Sequence, residues 1–101
     1  MKKRTKALDI PKSVKLKVWE RDGHCCILCG NPYAQPNAHY IPRSHGGLGI
    51  CENIVTLCFH CHYAYDHTTM RKSIEAKIKA YLRSVYPEWD EQKLYYRKWE
   101  I

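Results

Sequence analysis

The sequence predicts a small α+β domain held together by a metal more than by a large apolar core. Three observations carry that expectation. The chain has 101 residues, a length at which only about 60–65% of the unfolded surface is buried, so a second source of stability is needed. Two Cys-x-x-Cys pairs, Cys26/Cys29 and Cys58/Cys61, flank two short strand-like runs. Helical periodicity then takes over the last third of the chain.

Composition narrows the class. Six cysteines suggest either disulfides or metal ligands, and the opening MKKRTKALDIPK is basic with no apolar run behind it, so no signal peptide is read there. No stretch has the apolar length of a membrane span. A cytoplasmic chain with paired cysteines reads first as metal-binding. Seventeen Lys and Arg against ten Asp and Glu give a net charge of +7, a balance that favours a polyanionic partner such as nucleic acid.

Residues 1–12 carry Lys2, Lys3, Arg4, Lys6 and Lys12 and read as a basic flexible arm, with residues 13–101 as a single domain whose core spans 24–71. Residues 12–21 fit a strand through Val14, Leu16 and Val18, or a helix through Val14, Val18 and Trp19. A short helix is preferred because Pro11 suits its start and Asp22-Gly23 its stop. Residues 37–42 read as a strand ending at Pro42, residues 43–49 as a glycine-rich loop, and residues 54–57 as a second strand. A helix from Phe59 to about Arg71 puts His62 and Asp66 on one face, four residues apart. Over 73–86, Ile74, Ile78, Tyr81, Leu82 and Val85 mark an amphipathic helix ended by Pro87. A last helical turn or two is expected over about 90–99, capped by Asp90 and packing Leu94, Tyr95 and Trp99 on the core.

Cys26, Cys29, Cys58 and Cys61 make a closed four-thiolate set, which suits structural Zn2+ and leaves no position open for a substrate. Such a site contributes roughly 10–16 kcal/mol apparent in small peptides, as much as the whole stability of many domains. Cys25 reads as a spare thiol, although a swap with Cys26 stays open. An oxidoreductase pair lacks its βαβ setting here, and an iron–sulfur cluster leaves the histidine-rich hairpin unexplained.

Between the cysteine pairs lie His39-Tyr40-Ile41-Pro42-Arg43, then Gly46-Gly47, then Glu52-Asn53-Ile54-Val55-Thr56-Leu57-Cys58 and Cys61-His62. Order and spacing over about residues 14–67 resemble the HNH endonuclease family, whose fold is a zinc-supported ββα-metal (His-Me) finger. The resemblance implies an endonuclease that hydrolyses phosphodiester bonds and leaves a 5′-phosphate and a 3′-hydroxyl. It implies His39 as general base, Asn53 as the brace of the long loop, and His62 with Asp66 as ligands of a catalytic Mg2+, Mn2+ or Ni2+. The substrate it implies is nucleic acid, double-stranded DNA first, contacted by Arg43, Lys72 and the amino-terminal arm. A homodimer, or a phage or restriction partner, is a family association. One departure stands out: Ala38 occupies the position where the family usually has an Asp or His ligand. His45 and His67 are near enough in sequence to substitute. The competing readings are a zinc-stabilised nucleic-acid-binding module without catalysis, and a zinc-stabilised protein-interaction domain using the aromatic tail.

Overall fold

The computed structural model describes residues 3–97. In chain order it forms helices α1 (Lys3–Leu8) and α2 (Lys12–Arg21), strand β1 (Ala34–His39), strand β2 (Ile54–Cys58), and helices α3 (Phe59–His67) and α4 (Arg71–Val85). Short 3-10 turns fall at Arg43–His45, Cys51–Asn53 and Glu91–Leu94. Small, mixed and built on a two-stranded antiparallel sheet, this is the α+β class expected. Among the described residues no helix is long and apolar enough to cross a membrane.

Helix α2 begins where Pro11 was expected to start it, with the Pro11 carbonyl accepting from the amides of Val14 and Lys15. It ends at Asp22, and Gly23 and His24 follow with positive φ of 74° and 62°. His24 tolerates that left-handed backbone while its ring stacks on Trp19 at 5.1 Å.

The hairpin pairs Ala34 with Cys58, Gln35 with Leu57, Ala38 with Val55 and His39 with Ile54, and its register shifts between Gln35 and Ala38. Pro36 lies inside that irregularity, where its missing N–H removes one rung of the ladder. The strand starts earlier than the proline-bounded 37–42 run suggested, because the bulge absorbs Pro36. Every residue of β2 is buried.

Helix α3 stops at His67, short of the expected Arg71. The Thr68 hydroxyl donates to the Ala64 carbonyl at 2.6 Å and accepts from the Met70 amide at 3.1 Å. This local bonding competes with the helix ladder and lets α4 start afresh at Arg71. Ile74, Ile78 and Leu82 of α4 are buried at the expected helical spacing and join Tyr65, Leu57, Val55, Tyr40 and Leu94 in the core.

Two terminal segments differ from expectation. Instead of a flexible arm, Lys3–Leu8 form a helix whose Leu8 is 2% exposed. Its end packs against the β1–β2 loop: the Gly49 amide donates to the Ala7 carbonyl at 3.0 Å, and a Cβ on Gly49 would sit 1.9 Å from the Asp9 carbonyl oxygen. At the other end, Asp90 caps the turn Glu91–Leu94 through the Gln92 amide at 2.9 Å. The chain then pairs with the same loop, Leu48 N to Leu94 O at 2.8 Å and Tyr96 N to Gly46 O at 2.7 Å. The helix expected over about 90–99 is thus a single 3-10 turn followed by extended chain, and Trp99 lies outside the described residues.

Behind the sheet, Asp22 accepts from Arg21 Nε at 2.7 Å and Nη2 at 3.1 Å, from the Thr56 amide at 2.8 Å and from the Tyr81 hydroxyl at 2.5 Å. Arg21 in turn donates to the carbonyls of Cys51 and Ile54, each at 2.7 Å. Removing the carboxylate leaves a guanidinium only 12% exposed without its partner. Asp22→Ala is therefore expected to cost about 3–5 kcal/mol in urea unfolding followed by circular dichroism. A loss inside measurement error would show that this ion pair does not hold the domain together.

Candidate metal centre and catalytic cleft

The four sulfurs of Cys26, Cys29, Cys58 and Cys61 all lie within 4.8 Å of one another. A tetrahedral zinc with bonds of about 2.3 Å sets its sulfurs about 3.8 Å apart, and Cys29 and Cys58 are already at 3.6 Å. The fold builds this from two tight turns. In the first, the Gly30 amide donates to the Cys26 carbonyl at 2.9 Å, with Gly30 at φ 78°. In the second, the Cys58 sulfur caps α3 by accepting from the Cys61 amide at 3.4 Å. Burial pushes the Cys26 thiol up, but hydrogen bonding from the backbone of Cys58, Cys29 and Leu28 outweighs it and brings the thiol to about 7. Four cysteines in this arrangement fit one zinc ion, and no position is left for substrate. Cys25 points elsewhere, to the Asp22 carbonyl at 3.6 Å.

Apart from the cysteines, a cleft of about 510 Å³ is lined by His39, Arg43, His62, Asp66 and Arg71, together with Pro42, Ser44, His45 and His67. A larger cleft of about 580 Å³ beside Tyr86, Trp89 and Leu94 contains none of the candidate residues. His39 sits at the end of β1, half-buried, with Nε2 2.9 Å from the Leu8 carbonyl oxygen. A carbonyl only accepts, so Nε2 carries the hydrogen and Nδ1 of the neutral ring has a free lone pair. Burial lowers the His39 pKa from its ordinary 6.5; the Leu8 carbonyl opposes this, and the charges of Arg43 and His62 add to the lowering.

Asn53 is fully buried. Its Oδ1 accepts from the Ile41 amide at 2.8 Å, while Nδ2 donates to Leu48 O at 2.8 Å and Ile41 O at 3.2 Å. One side chain thereby closes both ends of the 41–48 loop. The loop comes so close that a Cβ on Gly47 would lie 1.7 Å from the Ile41 carbonyl oxygen. Glycine is required there.

His62 and Asp66 share a face of α3, with Nε2 and Oδ2 3.2 Å apart, and Arg71 stands 3.9 Å from the other carboxylate oxygen. Arg43 also lines the cleft but is paired with Asp9 at 2.6 Å. Lys72 is exposed on α4, outside the lining. Ala38 is fully buried in the core. Among the described residues the cysteine set is the group of three or more candidate ligands that forms a cluster, so the cleft itself offers the pair His62 and Asp66. Sequence reasoning did not anticipate Leu8, Asp9 and Arg71. Only Arg71 carried a signal, its position one turn beyond Asp66.

For the cysteine centre, metal analysis of the purified chain is expected to give one zinc per chain. Cys58→Ser is expected to lose the ion and cooperative unfolding, while Cys25→Ser and Cys51→Ser keep both. Stoichiometric iron, or a folded metal-free Cys58→Ser protein, would contradict the zinc assignment.

Two comparisons with known proteins bear on this arrangement. The chain is 28% identical over 64 residues to Anaredoxin of Nostoc sp. (strain PCC 7120 / SAG 25.82 / UTEX 2576), an alignment covering 62% of this chain and 84% of that protein. Residues 26–68, which run from the first cysteine of the metal centre past the end of α3, match the HNH endonuclease family model. The resemblance to HNH endonucleases is borne out over this segment, which holds the cysteine centre, the hairpin and His39, Asn53 and His62.

Proposed function

We propose that this protein is a divalent-metal-dependent endonuclease that hydrolyses DNA phosphodiester bonds, with the cysteine centre as a structural zinc site. The observation that carries the reading is the orientation of His39: its Nε2 is committed to the Leu8 carbonyl, which leaves Nδ1 to act as a base in the cleft that His62 and Asp66 also line.

In this reading a water oxygen bonds to phosphorus and its proton passes to His39 Nδ1. The P–O3′ bond breaks, the leaving oxygen takes a proton from solvent, and the products are a 5′-phosphate and a 3′-hydroxyl. Asn53 keeps His39 aimed by closing the loop that follows it. Arg43 and Arg71 provide positive charge for the phosphate. His62 and Asp66 would hold the Mg2+, Mn2+ or Ni2+ ion, which supplies neutralisation of charge on the phosphate and the leaving oxygen. The family match and the net charge of +7 support nucleic acid as substrate.

A second reading, a nucleic-acid-binding module without catalysis, is favoured by one observation: buried Ala38 gives the cleft no third ligand from β1. The two part in a nicking assay. Supercoiled plasmid incubated with the zinc-loaded protein and Mg2+, Mn2+ or Ni2+ is expected to be nicked, and His39→Ala to reduce the rate about 10²–10⁴-fold with zinc content unchanged. No nicking with any ion, or a His39→Ala protein that cuts like the wild type, favours the binding module.

The acid limb gives a second test. Protonating His39 removes the base, so activity is lost as pH falls through its folded-state pKa, which burial holds below 6.5. The acid limb of kcat/KM is expected below that value. Deleting residues 1–9 removes the Leu8 acceptor that fixes which nitrogen of His39 keeps its hydrogen, which is expected to lower kcat across the pH profile while the zinc is retained. A truncated protein with an unchanged profile would remove Leu8 from the mechanism.

A further inference from the structure

The surface around His62 also carries exposed aromatic rings. Tyr33 is 88% exposed and Phe59 is 84% exposed. Single exposed aromatics are ordinary, but these two line one cleft of about 510 Å³ together with Trp19, Gln35, Asn37 and His62. Both rings are anchored beside the cysteine centre: Phe59 directly follows Cys58, and Tyr33 follows the turn of Cys29 and Gly30. Trp19 is backed by the His24 ring, nearly parallel at 5°.

The aromatic cleft shares a wall residue with the cleft of His39 and Asp66. His62 lines both. Asn37 also lines a third hollow, with Lys15, His39, Arg43 and the Asp9 carboxylate that pairs with Arg43. For a polymer with a phosphate at His39 and His62, the cleft walled by Trp19, Tyr33 and Phe59 lies next to that phosphate across His62. No acidic side chain lines that cleft, while the exposed amides of Gln35 and Asn37 supply donors and acceptors beside flat apolar walls. Flat π-faces, polar edges and flanking cations are what a nucleobase requires. In an intact duplex both faces of a base are covered by its neighbours, so the base must come from an unpaired nucleotide.

Resting on the nuclease reading above, we propose that the cleft of Trp19, Tyr33 and Phe59 stacks an unpaired nucleobase beside the scissile phosphate. The preferred DNA then contains a single-stranded or frayed nucleotide at the cut.

The test uses fluorescence anisotropy with the zinc-loaded full chain and no added catalytic ion. Two labelled single-stranded oligonucleotides of equal length are compared, one ordinary and one abasic throughout, so that phosphate charge is the same. The ordinary strand is expected to bind roughly 5- to 150-fold tighter. Tyr33→Ala and Phe59→Ala, both at exposed positions, are expected to bring it toward the abasic affinity and leave the abasic strand unchanged. Equal affinity for the two strands, or variants that bind the ordinary strand as well as wild type, overturns stacking; if plasmid is still nicked through His39, the nuclease reading survives it. Failure to bind either strand, together with no nicking, overturns both.

Discussion

The buried pair Arg21–Asp22 is the contact through which the elements of this small fold meet. Asp22 terminates α2, receives the Thr56 amide from β2 and receives the Tyr81 hydroxyl from α4. Arg21 binds the Cys51 and Ile54 carbonyls on either side of Asn53 and reaches the Tyr86 hydroxyl at 3.1 Å. A buried ion pair is not stabilising merely by being buried, since desolvation offsets much of the attraction. Here nearly every polar atom of the pair is spent on another element, so its contribution lies in specifying how α2, β2 and α4 meet. With so little apolar core available, that directional constraint fixes the turn from which Asn53 projects.

From Asn53 the constraint passes to the candidate base. The β1–β2 loop has no strand pairing within itself, yet it cannot drift: Asn53 joins Ile41 to Leu48, the end of α1 receives the Gly49 amide, and residues 94–96 bond to Gly46 and Leu48. The same α1 terminus presents the Leu8 carbonyl to His39. A basic segment thus holds the loop and also sets which imidazole nitrogen keeps its hydrogen.

What could be read from the sequence follows the range of the interactions. The cysteine pairs were legible because each pair is closed by its own turn, and the buried face of α4 because helical period is local. The family resemblance singled out Asn53, His39, His62 and Asp66, of which the last three line one cleft. The fold of residues 3–8 was hidden, because six residues rich in Lys and Arg have almost no periodicity; only Leu8, meeting the hairpin from far away in sequence, makes the helix a packed element. Arg21 and Asp22 likewise read only as the end of a helix and its stop signal. Their burial depends on partners at positions 51, 54, 56, 81 and 86, and no local pattern announces such distant partners.

Ala38 is where sequence and packing combine most tightly. Side chains alternate along a strand, so with His39 turned to the cleft its neighbour faces the core, and Ala38 is fully buried opposite Val55. A carboxylate at that point would have to be buried among apolar groups or the strand would have to turn, and alanine avoids both costs. The cleft is then left with His62 and Asp66, and Asp66 already has cationic company in Arg71 at 3.9 Å. A divalent ion joining two protein ligands completes its shell from water and from the phosphate it serves. On the proposed reading the ion therefore binds best together with the nucleic acid, and the aromatic cleft beside His62 strengthens that coupling by holding the nucleotide whose phosphate completes the site.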